Sequence, residues 1–200
     1  MIKSGIDCIR DRRSIRKYKD TMPDRKVIDD ILSAAVLAPS AKNRQPWKYI
    51  VYSGSEKDKL IMAMERGLNR EQSGDALLPE SALALPDAWN TLRIMREAPI
   101  IVAVLNTNGR TPYENTDTDK RISEICDTLS IGASIQNMII RACELGIGSL
   151  WIANTCFAYT ELVDFIGTKC QLVSAIALGY ADEAPAKRPR KNMEEVVEYR

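Results

Sequence analysis

The sequence of 200 residues contains no histidine. Because imidazole is the side chain that ordinarily titrates near neutral pH, its absence excludes serine–histidine–aspartate triads, cysteine–histidine dyads and histidine-ligated zinc or iron sites. The five cysteines are an odd number and include no C-x-x-C pair, which favours a reduced protein over one built on disulfides. If this chain is an enzyme, its reactive group is not an imidazole.

A large excess of charge and long apolar runs are also lacking. Lys and Arg number 28 against 27 Asp and Glu, so the formal net charge of +1 gives no bulk reason to expect nucleic acid as a partner. No apolar run reaches the roughly 18 residues that span a bilayer, and the first turns of the chain lack the apolar core of a signal peptide. We therefore expect a cytoplasmic protein with no metal centre, no nucleic acid and no membrane partner.

Hydrophobic periodicity predicts several helices separated by a few short strands. Helices are predicted at 4–12, 24–37, 56–66, 87–97, 120–145 and 158–166, and strands at 48–53, 100–105, 149–152 and 172–180. The sequence contains neither a G-x-G-x-x-G nor a P-loop motif. This spacing favours one α+β domain over residues 1–200, with a sheet covered by helices, rather than a doubly wound fold.

Two segments of this domain carry further expectations. Residues 67–88 contain two glycines and two prolines, and we interpret them as a loop or lid with at most short helices. The second half of the helix at 120–145 is apolar nearly all round. Such a helix must be covered on more than one side, by its own core or by a partner subunit.

Three segments concentrate groups that bind anions or form hydrogen bonds. Residues 10–19 hold six basic side chains and one serine, which suit a phosphate monoester, although a solvated helix end is the alternative. Residues 38–47 present Ser, Asn and Gln between two prolines, as a preorganised binding loop or as an ordinary polar loop. Residues 186–191 are basic, and a solvated tail or a weak nucleic-acid patch is the alternative there.

These segments form a series of motifs in a fixed order: R-R-S-x-R, A-P-S-x-x-N-x-Q-P-W, L-G-I-G-x-x-W-I, and A-L-G-Y followed by K-R-P-R. In this order the sequence resembles the nitroreductase family of FMN-dependent oxidoreductases. The resemblance implies a mainly antiparallel central sheet covered by helices. It also implies an intertwined homodimer with two FMN sites, each built from both chains, and a C-terminal arm at 190–200 that packs on the partner.

The resemblance also assigns cofactor contacts residue by residue. The flavin phosphate and pyrimidine edge fall to Arg12, Arg13, Ser14 and Arg16, completed by the C-terminal pair Arg188 and Arg190. The loop that reaches over from the other subunit supplies Pro39, Ser40, Asn43 and Gln45. An Asn-x-x-Lys pair near the flavin is matched by Asn90 and Arg93, and the backbone beside flavin N5 by Ile152, Ala153 and Asn154.

Two positions depart from the family pattern. Arg93 stands in the place of the lysine, and Ala153 stands where several members have an acidic residue. A cation near flavin N1 and O2 would favour the anionic reduced form, and Arg16 is the first candidate for it, with Arg93 the second.

The chemistry implied by the resemblance needs no catalytic side chain, because flavin N5 is the reactive centre. Hydride would pass from NADH or NADPH to N5 and then to a small electron-poor acceptor such as a nitroaromatic or a quinone, in alternating half-reactions. One alternative keeps the fold and FMN but performs dehalogenation, flavin fragmentation or ferredoxin-linked reduction. Another, from a different class, is a non-catalytic module that binds RNA or another anionic partner through the basic segments.

Overall fold

The computed structural model describes residues 4–200, so residues 1–3 of the predicted domain lie outside the described part. The helices of this part are α1 (Gly5–Asp11), α2 (Arg25–Val36), α3 (Gly54–Gln72), α4 (Leu85–Glu97), α5 (Thr118–Glu144), α6 (Tyr159–Ile166) and α7 (Met193–Val196). The strands are β1 (Trp47–Ser53), β2 (Ile100–Asn106), β3 (Gly148–Ile152) and β4 (Gln171–Gly179). Each predicted helix and strand is present, and α7 was not predicted.

The four strands form one sheet in the order β1-β2-β4-β3, and every neighbouring pair is antiparallel. This confirms the predicted α+β class with an antiparallel sheet. Strand β2 is buried along its whole length, as its continuous apolar run predicts for a strand covered on both faces. Among helices within residues 4–200, none combines the length and apolar composition needed to cross a bilayer.

The alternation of side chains along β2 divides the interior into two cores. Ile101, Ala103 and Leu105 pack with side chains of α3, α4 and α6 on one face of the sheet. Ile100, Val102 and Val104 pack with side chains of α2 and α5 on the other face. Since side chains of a strand point alternately to opposite faces, the register of β2 fixes which helices each core receives.

The segment after α1 runs beside the ends of β3 and β4. Ile15 N–H donates to the backbone oxygen of Ser149 at 3.0 Å, and Lys19 N–H donates to that of Tyr180 at 2.9 Å. A bridge also joins Tyr18 to Ala181. These contacts with the ends of β3 and β4 therefore bring the first basic segment next to the chain that follows β4.

Both predicted boundaries of the loop at 67–88 are wrong. Helix α3 continues to Gln72 and α4 begins at Leu85, so residues 73–84 alone lie between them, with a 3₁₀ helix at Pro79–Ala84. Gly67 does not interrupt α3. A Cβ there would lie 2.3 Å from the Cβ of Ala158, so this glycine permits close packing instead of ending the helix.

Buried charges at the end of α3 anchor the segment 73–84. The Glu71 carboxylate accepts backbone hydrogen bonds from Leu77 at 3.0 Å and Leu78 at 3.1 Å, and it also pairs with Arg70. Arg70 Nε donates to Glu161 of α6 at 2.7 Å. Burial alone would raise the pKa of Glu161, but the hydrogen bonds from Arg70 hold this pKa below its ordinary value.

We expect Lys57→Met to lower the free energy of unfolding by about 1.5–3 kcal/mol, because charge-assisted hydrogen bonds are lost from buried carbonyls. Lys57 Nζ donates to the backbone oxygens of Arg96 at 2.8 Å and Ala98 at 2.7 Å, where α4 ends. Denaturant titration measures the change. Lys59→Met is the control on the same helix, since Lys59 is exposed and pairs with Glu56, and its effect should stay within about 0.5 kcal/mol. Equal midpoints for the two variants would contradict the assignment.

We expect Glu161→Gln to lower stability at neutral pH by an amount that shrinks in acid. The pKa of Glu161 in the folded state is lowered from 4.5, so its contribution is complete above that pH and is lost as the pH falls through the folded-state value. Unfolding midpoints of wild type and variant at pH 7 and at about pH 3 test this. Glu56→Gln, at an exposed site on α3, is the control. A gap that stays the same at both pH values would refute the ionic origin.

Candidate functional site

Both predicted basic segments line one cavity of about 230 Å³. Its lining includes six of the residues assigned by the motifs: Arg12, Arg13, Ser14, Arg16, Arg188 and Arg190. Arg10 and Lys187 line it as well, and no acidic residue is found among its lining residues. The structure thus brings together two segments from opposite ends of the sequence around a space that favours an anion.

Backbone contacts hold the arginines of the first segment in place. Arg13 Nη1 donates to the backbone oxygens of Arg10 at 3.1 Å and Arg12 at 2.9 Å. Arg16 Nη1 donates to the oxygen of Ser14 at 3.1 Å, and the backbone N–H of Arg16 donates to the Glu183 carboxylate. Because Arg12, Arg13 and Arg16 are half-buried, the segment is not simply a solvated helix end.

One donor of this group has no acceptor within the described part of the chain. Arg13 Nε is buried and makes no hydrogen bond there. A buried donor left without an acceptor costs free energy, so native proteins rarely keep one outside functional sites. The Arg13 guanidinium therefore fits an anion with several oxygen acceptors, which its fork geometry can bind.

A second cavity of about 430 Å³ adjoins the first and shares Arg12, Arg13 and Pro185 with it. Its other walls include Gly148 and Ser149 at the start of β3. A Cβ at Gly148 would lie 2.9 Å from the Ile15 side chain, so glycine permits the basic segment to pack against this strand. The second cavity therefore extends from the arginines of the first to the start of β3, the strand that ends at the predicted contact Ile152.

The loop residues Pro39, Ser40, Asn43 and Gln45 do not line either of these cavities. They lie between α2 and β1, where Asn43 and Gln45 are exposed. Ser40 Oγ accepts a hydrogen bond from Gln45 N–H at 3.0 Å, which closes the loop on itself. Within one chain, these polar side chains form a separate, solvent-facing group.

A third group of predicted residues forms where α4 meets the end of β3. Asn154 Nδ2 donates to Thr91 Oγ1 at 3.0 Å and to Asp87 Oδ2 at 3.3 Å, which ties it to α4. On the same helix Arg93 donates to Asn90 Oδ1 from Nε at 3.2 Å and from Nη2 at 3.0 Å. Arg93 also pairs with Glu97, whereas Arg16 lines the cavity of about 230 Å³, called the cationic cavity below. This difference favours Arg16 as the cation nearest a bound anionic group.

The end of β3 offers mainly backbone to a ligand. The Ile152 side chain is 2% exposed and belongs to the core, so only its main chain is available for a contact. Ala153 is exposed and has only a methyl group to present. The resemblance assigned backbone at these positions, and the burial of the Ile152 side chain leaves the same part of that residue for a contact.

Two acidic residues that support these groups were missed by the sequence analysis. Glu183 binds the backbone N–H of Arg16, and Asp127 of α5 binds the Arg44 side chain in the loop that carries Asn43 and Gln45. An aspartate in the largely buried middle of a helix is a signal in the sequence, because a buried carboxylate needs a partner. Its partner is 83 residues away, and no local pattern identifies it.

The chain is similar in sequence to known proteins. The sequence model described as "Nitroreductase family" matches residues 9–180. YfhC of Bacillus subtilis (strain 168), whose name assigns it provisionally as an NAD(P)H nitroreductase, is 30% identical over 186 residues, which cover 92% of this chain and 88% of that protein.

Solved structures share the fold. A nitroreductase-like family protein from Bacillus cereus superposes with a TM-score of 0.75 at 23% identity, covering 100% of this chain and 97% of that chain. The FMN-dependent nitroreductase NfnB from Mycobacterium smegmatis, solved in complex with NADPH, gives a TM-score of 0.76 at 18% identity, covering 98% of each chain. At such identities these structures establish the architecture, and the assignment of family rests on the sequence matches.

Proposed function

The chain belongs to the nitroreductase family, and we propose that it is an FMN-dependent oxidoreductase. It would take hydride from NADH or NADPH and reduce a small electron-poor acceptor such as a nitroaromatic or a quinone. The observation that carries this proposal is the cavity in which Arg12, Arg13 and Arg16 meet Arg188 and Arg190. The names of YfhC and of the Mycobacterium smegmatis enzyme support a nicotinamide as the electron donor.

The residues present fit the phosphate end of FMN. Guanidinium groups bind phosphate oxygens in pairs, and a serine hydroxyl adds another donor. The buried Nε of Arg13 would gain the acceptor that the described chain does not provide. Arg188 and Arg190 would close the site from the C-terminal side, where the chain leaves β4.

When bound, FMN supplies a centre that accepts and returns hydride, so the protein needs no imidazole, metal or catalytic thiol for the redox step. The side chains would bind and orient this group and control the charge around it. Arg16 would place positive charge beside the pyrimidine edge, where negative charge increases on reduction. The nicotinamide and the acceptor would use the same open face in turn, which predicts ping-pong kinetics.

The remaining contacts would come from a second copy of the chain. Asn43 and Gln45 are exposed and lie outside the cationic cavity of their own chain. Helix α5 exposes Ile122, Ile125 and Leu129 at 55%, 54% and 70%, an apolar face that a subunit interface would cover. We therefore propose a homodimer in which the loop of one chain reaches the flavin of the other, with the exposed arm at 190–200 packing on the partner.

The purified protein should be yellow, with a flavin band at about 450 nm that anaerobic NADH or NADPH bleaches and a nitroaromatic acceptor restores. Separate titrations with the two nicotinamides identify the preferred donor. A colourless protein that takes up no added FMN would reject the proposal. A flavin that neither nicotinamide reduces, but that a reduced iron–sulfur protein does, would favour the ferredoxin-linked alternative.

We expect Arg13→Met and Arg188→Met each to raise the Kd for FMN by about tenfold or more, because each removes a charge-assisted contact with the phosphate. Quenching of flavin fluorescence on binding measures the Kd. Arg25→Met is the matched control, since Arg25 is an exposed arginine of α2 outside the cavity lining. Wild-type affinity in both cavity variants would contradict the proposed phosphate site.

A further inference from the structure

The loop that carries Asn43 and Gln45 has an unusual backbone. Lys42, Asn43 and Gln45 have φ angles of 53°, 53° and 49°, in the left-handed region that residues other than glycine rarely occupy. Asparagine tolerates this region better than lysine or glutamine does. Three such residues within four positions persist only if surrounding contacts hold the chain there, and backbone of this kind is concentrated at binding sites.

Contacts from α5 hold this loop. Arg44 Nε and Nη2 both donate to Asp127 Oδ1, at 2.9 and 2.7 Å. One residue position before the strained stretch, Ala41 N–H donates to Ser130 Oγ at 3.2 Å. The Asp127 carboxylate is 3% exposed and the Arg44 side chain 30%, so this ion pair is shielded from solvent far more than a surface pair is.

Asp127 also holds a second loop. Its other oxygen, Oδ2, accepts a hydrogen bond from Asn108 Nδ2 at 3.2 Å. Asn108 and Asp127 both line a cavity of about 630 Å³ between residues 108–116 and α5. A single buried carboxylate therefore connects the strained loop to the wall of a neighbouring cavity.

We propose that Asp127 is a positioning residue for flavin binding: by holding Arg44 against α5, it fixes the backbone that presents Asn43 and Gln45 to the flavin of the second subunit. This inference rests on the proposed function. The Arg44 side chain is tied to α5, while Asn43 and Gln45 on either side of it are exposed. Their amide groups hydrogen-bond to each other, with Gln45 Nε2 donating to Asn43 Oδ1 at 3.3 Å. Asp127 acts through the loop and need not touch the flavin itself.

The first experiment compares wild type, Asp127→Asn, Gln45→Ala and the double variant for FMN binding to the full-length chain. Asp127→Asn should raise the Kd about tenfold, since it removes the charge that holds Arg44. If Asp127 acts through the loop, the Kd of the double variant should be close to the higher of the two Kd values of the single variants. Independent losses would instead multiply, and that result would overturn the proposal.

Asp30→Asn is the control, because Asp30 also pairs with an arginine and also joins α5 to another segment, α2, although its side chain is 44% exposed. Arg141 Nε and Nη2 donate to its two oxygens at 2.9 and 2.7 Å, away from the loop. Its replacement should leave the Kd for FMN unchanged. An equal loss in Asp30→Asn and Asp127→Asn would show that weakening any contact of α5 lowers affinity, and would overturn the proposal.

A second readout does not depend on flavin. Amide hydrogen exchange of residues 40–45, measured on the full-length chain before FMN is added, should be faster in Asp127→Asn and unchanged in Asp30→Asn. Arg44→Met removes the same contact from its more exposed side, so it should also speed exchange of residues 40–45, even if Asp127→Asn folds poorly. Arg44→Lys keeps the positive charge and should retain part of the wild-type affinity for FMN. Unchanged amide exchange of residues 40–45 in both Asp127→Asn and Arg44→Met would overturn the proposal.

The outcomes separate this inference from the proposed function. If wild type takes up no FMN, the proposed function fails and this inference fails with it. If wild type binds FMN and Asp127→Asn binds it equally well, only the positioning role of Asp127 is overturned, and the proposed function stands.

Discussion

Mutual repulsion among basic side chains is the constraint around which this structure is organised. Seven of them line a cavity of about 230 Å³ that has no acidic residue in its lining. Like charges held this close raise the energy of the fold unless an anion offsets them. The fold tolerates the arrangement by fixing Arg13 to backbone oxygens and by placing Glu183 against the main chain of Arg16, next to the cavity. These contacts fix the backbone and the guanidinium without neutralising the cavity, which leaves its charge available for a ligand.

The antiparallel sheet makes this convergence possible. Gly148 at the start of β3 pairs with Gly179 at the end of β4, so these two strand termini lie at the same end of the sheet. The first basic segment runs past that end of the sheet, and the chain that leaves β4 carries the second basic segment into the same region. The bridge between Tyr18 and Ala181 joins the two paths just before the cavity. Two sequence motifs that mean little separately thus form one site because of the strand order.

The sequence predicts what depends on local patterns, and the structure adds what depends on distant contacts. The apolar run of β2 and the periodicity of the helices identify their elements, and the ordered motifs identify six of the residues that line the cationic cavity. Gly67 was wrongly taken as the end of a helix. Glycine is needed there because Ala158 packs closely against it, and no local pattern reveals a neighbour 91 positions away. No local pattern predicts the left-handed backbone of Lys42, Asn43 and Gln45, because lysine and glutamine do not favour that region. The residues that hold this backbone, Asp127 and Ser130, lie on α5.

Helix α5 has two roles in the proposed dimer: one face holds the loop of residues 40–45, and another face is available to the partner subunit. Asp127 and Ser130 face the core side and hold the loop of residues 40–45, whereas Ile125 and Leu129, from the same turns, are exposed. A partner that covers Ile125 and Leu129 would therefore pack against the very turns that support the loop. Since the loop and the cationic cavity of one chain are separate, the full set of proposed contacts would exist only when two chains associate. Any ligand that binds both groups at once must then also stabilise the dimer, because binding energy gained only in the associated state shifts the equilibrium towards it.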